Sequence, residues 1–196
     1  MSYSIDNISS DCYEGTTCLK NIPGIKNEKQ LNDFEAAITF AKSSKFIQDN
    51  LCLSFDTDHY KRIHRFLFED IYTWAGEFRN VDMSKKGTSF APYNQIDNLM
   101  SNCFKRLKDK DYFQNMDFEN FIENLVDFYC VTNIIHPFRE GNGRTQRVFI
   151  TQLVNFNNYK IDFSKINPDE LMIATIHSAN GVTDYLKDIF RKIIYR

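Results

Sequence analysis

One stretch of twelve residues, His136 to Arg147 (HPFREGNGRTQR), restricts the fold more than any other. Apolar residues at helical spacing lead into it (Phe118, Phe121, Ile122, Leu125, Phe128), and a second such set leads away (Phe149, Ile150, Leu153, Phe156). Pro137 cannot continue an ordinary helix and disfavours the right-handed helical conformation for His136. Gly141, Asn142 and Gly143 then supply a tight turn, so two helices must meet, end to start, around one small space. The second helix brings its backbone N–H groups and its positive end to that space, with Arg144 and Arg147 on one face, which is what a polyphosphate needs. His136 is able to move a proton near neutral pH, and the carboxylate of Glu140 suits a hard divalent cation.

This segment resembles the signature of the Fic family of the Fic/Doc superfamily: histidine, any residue, phenylalanine, any residue, an acid, Gly-Asn-Gly-Arg, two free positions and a final arginine. All eight defined positions are present. The resemblance implies a protein adenylyltransferase that moves AMP from ATP to a Tyr, Thr or Ser hydroxyl of a target protein and releases pyrophosphate, as a bacterial toxin-like or regulatory enzyme. It implies His136 as the base that activates the hydroxyl and Glu140 as the ligand of Mg2+. The backbone donors of Gly141 to Gly143, with the amide of Asn142, would hold the phosphates; Arg144 would take the β- or γ-phosphate and Arg147 the γ-phosphate. Phe138 would anchor the loop in the core. Lys85 and Asn133 are further candidates for contact with nucleotide. A branch of the superfamily that phosphorylates its targets departs from Gly-Asn-Gly, and this chain keeps it, which favours AMP transfer; the motif does not encode the base, so UMP or GMP transfer stays open.

The remaining chain reads as mainly α, a Fic-type helical bundle of about six to eight helices with one short β-hairpin. Residues 1–27 form an N-terminal arm with turn signals at Gly15 and Pro23-Gly24, and 28–196 a single domain. Asn27 caps a first helix that carries Leu31, Phe34, Ile38 and Ala41. A second begins after Asp56, carries Tyr60, Ile63, Leu67 and Ile71, and ends near Trp74-Ala75-Gly76. From Gly76 to Pro92 (GEFRNVDMSKKGTSFAP) the helical pattern breaks, Val81 and Met83 alternate with polar neighbours, and Lys86-Gly87 predicts a tight turn. By the resemblance this hairpin is a flap over the active site, with Met83, Ser84, Lys85, Lys86 and Gly87 pairing with an extended segment of the target. Further helices follow on Ile96, Leu99, Met100, Cys103 and Leu107, after Asn167-Pro168, and on Leu186, Ile189, Phe190 and Ile193.

Net charge is −2, which gives neither nucleic acid nor membrane as an electrostatic partner, and no apolar run approaches the roughly 20 residues of a spanning helix. MSYSIDNISS lacks the regions of a signal peptide, so the expected location is cytoplasmic. Five cysteines without a CxxC pair predict reduced thiols. Of the four histidines, His59, His64 and His177 are expected to be structural or on the surface. Restraint has two routes. Ser10 and Glu14 fit the family's short inhibitory pattern, whose glutamate pairs with the second motif arginine; otherwise a small inhibitory protein, an antitoxin, does this in trans. A nucleotide-binding interaction module with little or no transfer is the competing reading.

Overall fold

A computed structural model describes residues 11–48, 54–85 and 88–196, without the side chains of Lys85 and Thr88. Ser10, Lys86 and Gly87 therefore lie outside the described residues. Seven α-helices are present among those described: α1 (Glu28–Gln48), α2 (Thr57–Phe68), α3 (Ile96–Asp109), α4 (Phe118–Ile135), α5 (Asn142–Phe156), α6 (Pro168–Ala179) and α7 (Asp184–Ile193). Their starts are written in the sequence. Asn27 accepts the Gln30 N–H at 3.0 Å ahead of α1, Asp56 the His59 N–H at 2.7 Å ahead of α2, and Asp117 the Asn120 N–H at 2.9 Å ahead of α4. Asn167 does the same for α6, with Pro168 in the first turn.

The helices α4 and α5 form the centre. The first is buried on most of its circumference, through Phe121, Ile122, Leu125, Val126, Phe128 and Tyr129, because α3, α5, α6 and α7 all pack on it. Phe149 of α5 is the hub of an aromatic core, with the rings of Phe55, Tyr60, Phe104 and Phe128 all within 5.6 Å of its own, centroid to centroid. Gln146 fastens the two helices by polar contacts as well, donating to Tyr129 O at 2.8 Å and Thr132 Oγ1 at 2.6 Å.

Three sequence expectations need correction. The second helix ends at Phe68, and Ile71 is buried from the turns that follow it. The buried line of α1 runs through Leu31, Glu35, Thr39 and Phe46, whereas Phe34 and Ile38 are only partly covered, so the helix presents an acid and a hydroxyl to the interior. The expected hairpin exists as β1 (Ser84–Lys85) and β2 (Thr88–Ser89), extended by the Phe90 N–H on Met83 O at 3.1 Å, but a second small antiparallel pair joins β3 (Lys160–Ile161) to β4 (Ile194–Tyr195). Each strand of that pair has two residues, too few for an alternating pattern to show.

The described part of the N-terminal arm folds back on itself through a Cys12–Leu19 bridge and is tied to the turns after α2 by the Ile22 N–H on Ile71 O at 2.8 Å. Arg139 of the signature stretch also reaches it, 3.5 Å from Asp11.

Candidate active site

Pro137 denies α4 its next turn, and His136 takes a left-handed conformation, φ 49° and ψ 61°, in place of the extended one that proline favours in its predecessor. The histidine N–H still bonds back to Thr132 O at 3.1 Å, so it terminates the helix as a left-handed cap. Its ring lies flat on Phe90 from the far arm of the hairpin, centroids 3.8 Å apart and planes 8° apart. Nδ1 is 3.3 Å from Asn133 O. A carbonyl can only accept, so Nδ1 carries the proton and Nε2 is the basic nitrogen.

The loop after His136 is held from beneath. Phe138 is fully buried, stacked on Tyr60 and, at 3.8 Å, on His64. Asn142 closes the turn on Phe138 by two bonds, its Oδ1 accepting the Phe138 N–H at 2.8 Å and its Nδ2 donating to Phe138 O at 2.7 Å. The oxygen and one N–H of the amide expected to serve a nucleotide are thus committed to the loop. Gly141 has φ +79°, and a Cβ there would lie 2.2 Å from Phe68 Cζ, so only glycine fits. Its N–H donates to Glu140 Oε1 at 2.8 Å, which removes it from the expected set of phosphate donors.

What remains is the start of α5. Unlike α2, α4 and α6, this helix has no side-chain cap. The Thr145 N–H is the first to bond back, to Gly141 O at 3.0 Å, so the amides of residues 142 to 144 precede the ladder and give the helix its positive end. Arg147 passes beside Gly143, where a Cβ would make ordinary contact with its Nη1 at 3.4 Å.

The two arginines differ. Arg144 donates to Glu35 Oε2 at 2.5 Å, to Glu140 Oε1 at 3.3 Å and to Thr39 Oγ1 at 3.4 Å, and it lies over the Phe68 ring. Glu35 also accepts from the Tyr72 hydroxyl. Burial pushes the Glu35 carboxyl above its ordinary range, with Arg144 pulling the other way. Arg147 has no carboxylate within salt-bridge distance among the described residues. Burial and the repulsion of Arg144 both lower its pKa, while Tyr129 raises it; desolvation is the largest cause.

Asn133, His136, Glu140, Gly141, Gly143, Arg144 and Arg147 line one cavity of about 330 Å³. Seven of the residues picked from sequence therefore meet. The apolar part of the lining was not foreseen: it comes from Leu171, Met172 and Ile176 of α6, with Phe90 and Tyr129. The helical period of α6 was visible, but nothing local says where its face points. Glu35, Thr39 and Tyr72 were missed as well; the signal available was an acid four positions after Leu31 and four before Thr39. Met83, expected in the target-docking flap, is buried and anchors the hairpin inward. Glu14, expected in an inhibitory helix, lies exposed in a turn.

Comparison with known proteins adds independent findings. The model of the family described as Fic/DOC matches residues 54–154. The protein adenylyltransferase VbhT of Bartonella schoenbuchensis is 34% identical over 90% of this chain, which spans only 37% of that protein. The probable protein adenylyltransferase y4lH of Sinorhizobium fredii is 33% identical over 93% of this chain and 94% of its own length. Among solved structures, the BepC protein of Bartonella tribocorum with bound AMPPNP superposes at a TM-score of 0.88 and 28% identity, covering 94% of this chain and 96% of that one. The N-terminal Fic domain of a cell filamentation protein from Bartonella quintana with bound ADP does so at 0.88 and 30%, covering 94% of each.

Proposed function

This chain belongs to the Fic/DOC family, and we propose that it is a protein adenylyltransferase in which His136 and the α5 N-terminus act on one ATP molecule. The observation that carries this is the shared cavity: a histidine with Nε2 as its base faces the same space as an uncapped helix start and an arginine with no carboxylate at salt-bridge distance among the described residues.

In the reaction the target hydroxyl oxygen forms a bond to the α-phosphorus, the bond from that phosphorus to the β-bridging oxygen breaks, and pyrophosphate leaves. The hydroxyl proton goes to His136 Nε2, while the Nδ1–H on Asn133 O keeps the ring in the tautomer that accepts it. Amides of residues 142 to 144 and the guanidinium of Arg147 lower the energy of charge building on the phosphates, Arg144 adding to this from its mooring on Glu35. The apolar wall from α6 is suited to a base, and adenine is the one we assign. Glu140 fits a hard cation, since one carboxylate oxygen is occupied by Gly141 and Arg144 and Oε2 is left for Mg2+, which would neutralise phosphate charge when bound.

The target segment adds to the hairpin as an extended strand, and Lys85 is a residue we assign to contact with nucleotide or target. Residues 28–196 act as one Fic domain and 1–27 as an arm beside it. Restraint fits a small protein acting in trans better than the arm's own Glu14: a groove of about 560 Å³ between α1 and α5 reaches Arg144 and Arg147 from the side away from His136, open to an acid brought by another chain. No helix among the described residues is long and apolar enough to cross a membrane, and the cytoplasm, where ATP and magnesium meet protein targets, is the location we assign.

Purified chain, Mg2+ and a cell lysate, supplied with ATP labelled on either the α- or the γ-phosphate, test the proposal. Protein should take label from the α-position only, and His136→Ala should abolish it. Label from the γ-position would mean phosphorylation; ATP bound with no transfer would mean an interaction module; preference for UTP or GTP would change the base.

A further inference from the structure

We propose that Arg79 is a positioning residue for this transfer, strapping both arms of the hairpin to the end of α4 and so fixing His136 under Phe90. The proposal rests on the adenylyltransferase reading for its kinetic consequence, but not for its structural one. Arg79 is almost fully buried, yet no carboxylate lies within salt-bridge distance of it among the described residues. Its guanidinium instead donates to four carbonyl oxygens: Nε to His136 O at 2.9 Å, Nη1 to Val81 O at 2.6 Å, and Nη2 to Ala91 O at 2.5 Å and Ile135 O at 3.2 Å.

Those four carbonyls belong to three segments. Ile135 and His136 close α4, whose last oxygens lack helical partners because Pro137 has no N–H to offer and the chain has turned left-handed. A cation there also meets the negative end of the helix. Val81 stands before β1 and Ala91 after β2, so the other two bonds hold the hairpin at both feet. The backbone repeats the connection: the Arg79 N–H donates to Pro137 O at 2.9 Å and the Ala91 N–H to Ile134 O at 3.1 Å. Ala91 follows directly on Phe90, whose ring covers the imidazole, so the position of that stack is set by where Arg79 holds the strand.

The left-handed conformation of His136 is strained in a residue with a Cβ, and the bond from Arg79 Nε is one of those that retain it. Four acceptors in different directions need the planar fork of arginine; a lysine ammonium, one point on a flexible stem, cannot reach both feet of the hairpin and the helix end together.

The full chain with histidine labelled at 13Cε1 gives the test, comparing wild type, Arg79→Lys, Phe90→Ala and His136→Ala, the last to assign the resonance. Arg79→Lys should move the His136 signal in the direction in which Phe90→Ala moves it, through loss of the ring-current field. AMPPNP affinity should change by less than about tenfold, while transfer from α-labelled ATP falls about 100-fold, the cost of a misplaced reacting group. An unmoved His136 resonance overturns the proposal, and so does a loss of AMPPNP binding as large as the loss of transfer, which would mark Arg79 as a general stabiliser. If the wild type transfers nothing, the adenylyltransferase reading fails, and the His136 resonance still decides whether the strap exists.

Discussion

Acid should loosen this protein through His64. The ring is fully buried, with Nδ1 accepting the Gly76 N–H at 2.8 Å and Nε2 donating to Glu140 O at 3.0 Å, so both edges are satisfied only in the neutral tautomer. It is also sandwiched between Phe138 and Phe68, at 3.8 Å and 4.7 Å. Burial pushes its pKa down from 6.5 to about 3; the bond to Glu140 opposes this and Arg144 adds to it. Below 6.5 the unfolded chain binds a proton that the folded chain refuses. Stability from this group is therefore complete above 6.5 and is lost as pH falls from there toward 3. Each pH unit is worth about 1.4 kcal/mol, so pH 5 costs about 2 kcal/mol, a large share of a typical domain's stability. Urea denaturation of wild type and His64→Gln at pH 7.5 and 5.0 measures this. His59, whose pKa burial also lowers, titrates alike in both proteins and cancels. The variant will be less stable at pH 7.5, but its loss on going to pH 5.0 should be smaller than the wild type's by about 2 kcal/mol. An equal loss in the two would refute the assignment of His64 as neutral and doubly bonded.

Gly141→Ala forces a side chain into a left-handed position and onto the Phe68 ring; strain of about 1–2 kcal/mol and overpacking of about 1–3 kcal/mol should appear together in thermal or urea melts, and a neutral substitution would contradict the geometry. Arg147→Ala removes a half-buried cation with no acidic partner among the described residues, so the melting temperature should hold or rise, while calorimetric AMPPNP affinity falls about 10- to 150-fold, the equivalent of about 1.5–3 kcal/mol for a charged hydrogen bond; unchanged affinity would separate Arg147 from the nucleotide.

The helix–turn–helix around the signature was legible because its causes are local. Pro137, Gly141 and Gly143 act within a few residues, and the apolar spacing on either side extends over whole helices. Glu35 was not, because its partner Arg144 is 109 positions away and the apolar period of α1 drew attention to Phe34 and Ile38 instead. Ile71 kept the spacing of α2 while lying beyond its end, since burial alone does not say whether a residue is helical. An amide beside a phosphate-binding turn reads as a ligand donor, and only the bonds of Asn142 to Phe138 show that it builds the turn. Arg79 sits in the stretch read as a flap for the target; its four carbonyl partners come from backbone, which leaves no mark in side-chain sequence.

The central claim is that one imidazole and one helix start address the same nucleotide. A crystal structure of the chain with AMPPNP and Mg2+ tests it most directly. The account predicts the phosphates against the amides of residues 142 to 144 and the Arg147 guanidinium, the metal on Glu140, and the α-phosphate exposed to His136 Nε2. A nucleotide seated elsewhere, or one whose γ-phosphate faces His136, would contradict it.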